Sequence, residues 1–214
     1  MLADAPRPLP AAAVLPALPP RVPRSAYPRW ARWLGRLVMR TGGWRYTGGF
    51  ADAPNQVLVG APHTSNWDGI MALGAAAVCG VGVRVFVKRE LFRGPVAAML
   101  RVFGGVPVDR SAPGGLVGRA VEVLRAPEPA FVVVTPEGTR GPVERWRTGF
   151  HRMAVEAGAP ICVLALDYGR REVGVRGTFV PSGDLDADLD AIAALLDTVE
   201  ARHPEHATPP TAGR

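Results

Sequence analysis

His63 and Asp68, separated by four residues, are the pair whose types and spacing best suit proton chemistry. An imidazole titrates near neutral pH. A carboxylate that hydrogen-bonds one ring nitrogen fixes the tautomer and makes the other nitrogen a better base. Such a pair can take the proton from an alcohol. The apolar run 57–61 leads straight into Pro62-His63-Thr64-Ser65-Asn66-Trp67-Asp68. Read as a strand of an α/β sheet, that run delivers His63 beyond its carboxyl end, where ligands collect. Asp68 then falls about one turn into the following helix and can fold back on the ring. The same residues also spell a helix capping box, with Ser65 as N-cap and Asp68 answering three positions later. On that reading His63 is an incidental loop histidine, and the spacing alone leaves both readings open. No G-x-S-x-G elbow occurs, so a base here would act on a substrate hydroxyl directly.

Further segments share the placement at strand ends. Gly104-Gly105-Val106-Pro107-Val108-Asp109-Arg110 puts Arg110 after a short strand, and a guanidinium fork suits a phosphate. A plain Asp109–Arg110 surface pair is the alternative. Thr135-Pro136-Glu137-Gly138-Thr139-Arg140 follows another apolar run. Its Pro and Gly predict a sharp turn whose amides can point at an anion, with Arg140 adding a cation. A polar turn without a ligand fits the same letters. Gly158-Ala159-Pro160-Ile161 reads as a structural turn entering an apolar strand. Lys88 is the only lysine beside 24 arginines, in Val87-Lys88-Arg89-Glu90-Leu91 at a strand end.

These residues need a scaffold, and periodicity predicts one. Strands are expected at 57–61, 83–87, 106–108, 130–135, 161–166 and 172–179. Helices are expected at 65–78, 95–103, 116–125, 149–157 and 185–202. The alternation predicts an α/β fold, with a mixed, mostly parallel sheet covered by helices on both faces. A chain of 214 residues that is 48% hydrophobic supports one such domain, placed at 45–203. Cys79 and Cys162 fit no disulfide framework or metal pattern, and a reducing compartment is expected. The longest uncharged run, 69–83, is shorter than the roughly 20 residues of a spanning helix. No secretion signal is recognisable.

Charge is concentrated at one end. Residues 1–50 carry eight Arg and one Asp, whereas 51–214 carry 17 basic and 18 acidic residues. Residues 1–26 are rich in Pro and Ala and read as a disordered tail; 204–214 resembles it and reads as flexible. Residues 27–44 hold an amphipathic helix. At helical spacing Trp30, Trp33, Leu34, Leu37 and Val38 share one face, and Arg29, Arg32, Arg36 and Arg40 an adjoining one. That arrangement suits a helix lying in a membrane interface. The alternative is a helix packed on the domain. No nucleic-acid motif accompanies the charge, and no nucleic-acid partner is expected.

The ordered set of segments resembles the glycerolipid acyltransferase family, especially the 1-acyl-sn-glycerol-3-phosphate acyltransferases. That family carries a His and an Asp separated by four residues, a Gly-to-Arg block, a Glu-Gly-Thr-Arg block and a proline-centred strand entry. Here these are His63 to Asp68, Gly104 to Arg110, Glu137 to Arg140, and the block around Pro160. The resemblance covers roughly residues 45–170. In the last block Ala159 and Val163 stand where a valine and a second proline are common. The resemblance implies a glycerol-3-phosphate acyltransferase-like fold, with His63 as general base and Asp68 as its orienter. Arg110 would bind the acceptor phosphate, assisted by Arg140, with Lys88 nearby. Glu137, Gly138 and Thr139 would shape the acceptor site. The implied reaction moves a fatty acyl group from acyl-CoA or acyl-carrier protein to the sn-2 hydroxyl of lysophosphatidic acid, giving phosphatidic acid. It requires no metal or other cofactor. The implied partners are membrane lipids, at the cytoplasmic face, with peripheral attachment. Other readings are a lysolipid acceptor such as lyso-ornithine lipid, or a catalytically silent lipid-binding protein. A nucleotide-binding oxidoreductase lacks its glycine fingerprints, and a metal hydrolase lacks ligands around the four histidines.

Overall fold

The computed structural model describes residues 17–108 and 115–211. Seven strands form one sheet: β1 (Arg45–Thr47), β2 (Asn55–Gly60), β3 (Val83–Lys88), β4 (Gly105–Val108), β5 (Ala130–Val134), β6 (Ile161–Asp167) and β7 (Glu172–Phe179). Among the described residues six α-helices accompany them: α1 (Arg29–Thr41), α2 (Asn66–Cys79), α3 (Gly94–Val102), α4 (Gly115–Arg125), α5 (Gly149–Ala157) and α6 (Leu185–Leu196). The order across the sheet is β1-β7-β6-β2-β5-β3-β4. From β6 to β4 all neighbours are parallel; β7 runs antiparallel to β6, and β1 is parallel to β7. This is the mixed, mostly parallel α/β sheet expected from the alternation.

The central strands are apolar on both sides because both faces are covered. Val57 and Val59 of β2, Val132 of β5 and Ile161 and Val163 of β6 pack with Leu124, Phe150, Met153 and Ile192 from α4, α5 and α6. On the opposite face Leu58, Phe131 and Cys162 pack with Val81 and Val83, backed by α2 residues. The chain leaves β2 for α2 and β3 on one side, and leaves β5 for α5 and β6 on the other. Neighbouring strands whose connections diverge make a switch point, and a crevice opens beyond their carboxyl ends.

α2 begins with the capping box that the sequence spells. The Ser65 hydroxyl accepts from the Trp67 amide at 3.2 Å, and Asp68 Oδ2 accepts from the Ser65 amide at 2.7 Å. α2 ends at Gly80, whose φ of +75° is a left-handed cap that favours glycine. α1 lies directly on α2. An added Cβ at Gly35 would sit 2.6 Å from the Gly74 carbonyl oxygen, so two glycines let the helices touch. α1 buries Ala31, Gly35 and Met39, while Trp30, Trp33, Leu34 and Leu37 stay exposed. The apolar face read from sequence is therefore turned outward. No helix of the described residues is long and apolar enough to cross a membrane.

Three departures from the sequence reading have physical causes. β1 is only three residues long and pairs through its backbone with β7, which leaves no alternation to detect. α6 stops at Leu196 rather than 202, because the carbonyls beyond it are recruited: Thr198 O accepts from Arg170 and Glu200 O from the Tyr168 amide. Parts of both terminal segments are also tied to the domain. Val22 is buried and the Arg21 amide donates to Asp52, while Thr208 bonds Val143 and the Trp146 ring nitrogen donates to the Thr208 carbonyl.

Candidate active site

β2 ends at Gly60, and Pro62 carries the chain across the crevice to His63. The His63 ring is mostly enclosed, with Nδ1 3.3 Å from Asp68 Oδ2. That separation is long for an N–H···O bond, whose usual value is about 2.9–3.0 Å. Catalytic pairs commonly tighten once substrate is in place. Nδ1 faces the carboxylate, which leaves Nε2 as the nitrogen available to a substrate.

Asp68 is buried and heavily coordinated. Oδ2 accepts from the amides of Thr64 (2.8 Å) and Ser65 (2.7 Å), and Oδ1 accepts from the Tyr168 hydroxyl at 2.7 Å. Burial alone would raise its carboxyl. Hydrogen bonds from His63, Tyr168, Ser65 and Thr64 outweigh burial and hold it below the usual carboxylate range. The two sequence readings are thus compatible: one carboxylate caps α2 and faces the imidazole.

β5 is the neighbour of β2, and its end supplies Glu137. Glu137 is buried, and its Oε1 accepts from the His63 amide at 2.9 Å. This bond ties the loop after β5 to the loop after β2. Burial pushes the Glu137 carboxyl above its ordinary value despite that bond, and Oε2 has no partner among the described residues. Gly138 has φ +67°, and an added Cβ would lie 2.7 Å from Arg147 Nε. Thr139 and Arg140 are exposed on the same turn, and Arg140 forms no ion pair among the described residues. Lys88 is exposed at the end of β3, on the same carboxyl edge as His63 and Glu137. Arg110 lies outside the described residues.

An apolar channel of about 310 Å³ opens at His63 and Asp68 and runs between α2 and the sheet. Leu58, Leu73, Ala76, Val85, Val133 and Leu164 line its course, and Tyr46, Phe50 and Cys79 also border it. Burial pushes the Cys79 thiol up to about 11, so it stays protonated and apolar in character. A chain of methylenes fits such a lining, at about 0.8 kcal/mol per buried CH₂.

Tyr168 was not legible in the sequence. It lies 100 residues from Asp68, directly after β6, and no spacing rule links them. Arg202 stacks over both Tyr168 and Trp67, 5.9 and 5.7 Å from the ring centroids, and closes this corner. Tyr168→Phe should lower kcat severalfold with little change in KM, because Asp68 loses one of the bonds fixing its orientation. It should also destabilise the fold by about 1.5–3 kcal/mol at neutral pH, the value of a hydrogen bond to a charged group. The depressed Asp68 value means that this contribution is complete above the unfolded value of about 3.9 and fades as pH falls through the lower folded value. Denaturant titrations of wild type and variant should therefore converge in acid. A constant gap at all pH values would show that the hydroxyl does not act through the Asp68 charge.

A family model described as Acyltransferase matches residues 49–167. The fold is similar to the crystal structure of PlsC, the 1-acyl-sn-glycerophosphate acyltransferase of Thermotoga maritima. The TM-score is 0.54 at 18% identity, over 80% of this chain and 76% of that one. Among curated proteins no match is found.

Proposed function

This chain belongs to the acyltransferase family, and from that premise we propose that it transfers a fatty acyl group from a thioester to the free hydroxyl of a phosphate-bearing lysolipid, lysophosphatidic acid in particular. The observation that carries the reading is the His63–Asp68 pair seated at the mouth of an apolar channel. The channel would hold the acyl chain, with the thioester carbonyl beside the imidazole. His63 Nε2 takes the proton of the acceptor hydroxyl as its oxygen attacks that carbonyl. The C–S bond then breaks, the sulfur takes the proton from the imidazolium, and an ester and a free thiol are released. Holding hydroxyl and carbonyl together replaces a bimolecular encounter by an oriented one. The donor thioester is acyl-CoA or acyl-carrier protein. The outward face of α1 supports a peripheral position on a membrane surface, and the cytoplasmic face is the side proposed.

The test is release of free thiol from acyl-CoA by the full chain, with lysophosphatidic acid, monoacylglycerol, lysophosphatidylcholine and lyso-ornithine lipid as acceptors. Lysophosphatidic acid should lead by roughly tenfold to a hundredfold in kcat/KM, the value of a charge-assisted phosphate contact. Arg110→Ala should remove most of that lead and leave monoacylglycerol turnover nearly unchanged. A lead for lyso-ornithine lipid would reassign the acceptor, and no acceptor-dependent thiol release at all would leave a lipid-binding protein.

A further inference from the structure

A second opening flanks the site. Glu137, whose carboxylate holds the His63 amide, also lines an open cleft of about 560 Å³ together with Thr139, Arg145, Arg147 and Thr148. The lining contrasts with the channel: it offers two guanidinium groups and two hydroxyls. Both arginines are exposed, and neither forms an ion pair among the described residues.

The main chain that carries the arginines is held in place rather than left as a loose loop. Trp146, between them, is buried against Phe150, and its ring nitrogen donates to the Thr208 carbonyl at 2.9 Å. The Trp146 amide donates to Thr211 O and the Arg147 amide to Pro136 O, at 2.9 and 2.8 Å. The Arg147 side chain lies against Gly138, where any Cβ would displace it. Gly138 therefore serves two ends: it takes the left-handed φ of the turn and leaves room for the guanidinium. A fixed main chain reduces the ordering cost of binding, and an arginine fork with neighbouring hydroxyls matches phosphate oxygens.

We propose that Arg145 and Arg147, with Thr139 and Thr148, form a phosphoryl-binding subsite that seats the charged end of a substrate while the channel takes its apolar end. The proposal deepens the acyl-transfer reading and rests on it for the identity of the substrates. Two substrates carry the required chemistry: the acceptor through its headgroup phosphate, and coenzyme A through its phosphates. The subsite shares Glu137 with the loop that carries His63, so either substrate bound there would lie next to that loop.

Binding can be measured without turnover, which separates this proposal from the catalytic one. Isothermal titration of the full chain with coenzyme A, pantetheine and glycerol 3-phosphate should show binding of at least one phosphate-bearing ligand. The double variant Arg145→Gln/Arg147→Gln should weaken that ligand about tenfold or more and leave pantetheine unchanged, because pantetheine lacks the phosphates. Loss confined to coenzyme A assigns the subsite to the donor; loss confined to glycerol 3-phosphate assigns it to the acceptor. Arg147→Lys should keep part of the affinity, since it retains charge without the fork. Thermal unfolding midpoints close to wild type for this single variant secure the comparison if the double variant folds poorly. No binding of any phosphate ligand by wild type, or the same affinity in wild type and variants, would overturn the proposal. Failure of thiol release with intact phosphate binding would overturn the catalytic reading alone.

Discussion

His63→Ala should reduce acyl transfer by about 10²–10⁴-fold, the contribution of a positioned general base, and leave the unfolding midpoint close to wild type. The separation of the two effects follows from what His63 contacts. Its fold-bearing bond is made by the main-chain amide to Glu137, and alanine keeps that amide. Among the described residues its ring has one polar contact, to Asp68 at 3.3 Å, and Asp68 retains three other hydrogen bonds without it. Asp68→Asn is a poorer probe, because the same carboxylate caps α2 and carries the Thr64 and Ser65 amides. An asparagine there should lose both rate and stability, whichever role matters more. The decisive measurement is thiol release at saturating acceptor, with circular dichroism melting of the same preparation. Turnover of His63→Ala within a few-fold of wild type would end the general-base assignment.

Much of this architecture was readable because it rests on local signals. Strands buried on both faces read as continuous apolar runs, as in Val57-Leu58-Val59, and Gly80 and Gly158 mark helix ends with left-handed turns. The His63–Asp68 spacing was readable for the same reason, since both residues belong to one strand-to-helix turn. What escaped depends on contacts between distant segments. Tyr168 reaches Asp68 across the sheet, and its neighbour Arg202 comes from beyond α6. Arg145 and Arg147 look like an ordinary basic loop until burial of Trp146 and its bonds to the C-terminal segment show why they are held. β1 escaped because three residues on an edge strand carry no periodicity. The ambiguity over residues 65–68 dissolved rather than resolved, because one carboxylate oxygen, Asp68 Oδ2, accepts the capping amides of Thr64 and Ser65 and also faces the imidazole.

Neutralising the basic face of α1 should release the protein from anionic membranes by roughly three orders of magnitude in partition coefficient. Arg29, Arg32, Arg36 and Arg40 are all exposed, and none pairs with a carboxylate among the described residues. Each is worth about 1 kcal/mol near an anionic lipid surface, and about 1.4 kcal/mol is a factor of ten. Beside them Trp33 is 63% exposed and Trp30 51%, and Trp67 and Ile70 are also exposed on the first turns of α2. Those turns carry Asp68 and border the mouth of the channel, so the surface that would enter the lipid interface also brings the acyl-chain entrance to the bilayer. Removal of α1 is the wrong experiment. The helix buries Met39 against Met71 and meets α2 at Gly35 and Gly74, so its loss would uncover core as well as abolish attraction. Substitution of the four arginines by glutamine keeps helix propensity and the α2 contact intact. The variant should sediment poorly with vesicles containing phosphatidylserine, and raising salt should weaken wild type towards it, since the Debye length falls below about 8 Å above physiological ionic strength. Trp33→Ser in the same assay should lower binding to neutral and anionic vesicles alike, because its loss is apolar rather than electrostatic. Unchanged sedimentation of the four-arginine variant would place the membrane-contacting surface elsewhere and return α1 to a purely structural role over α2.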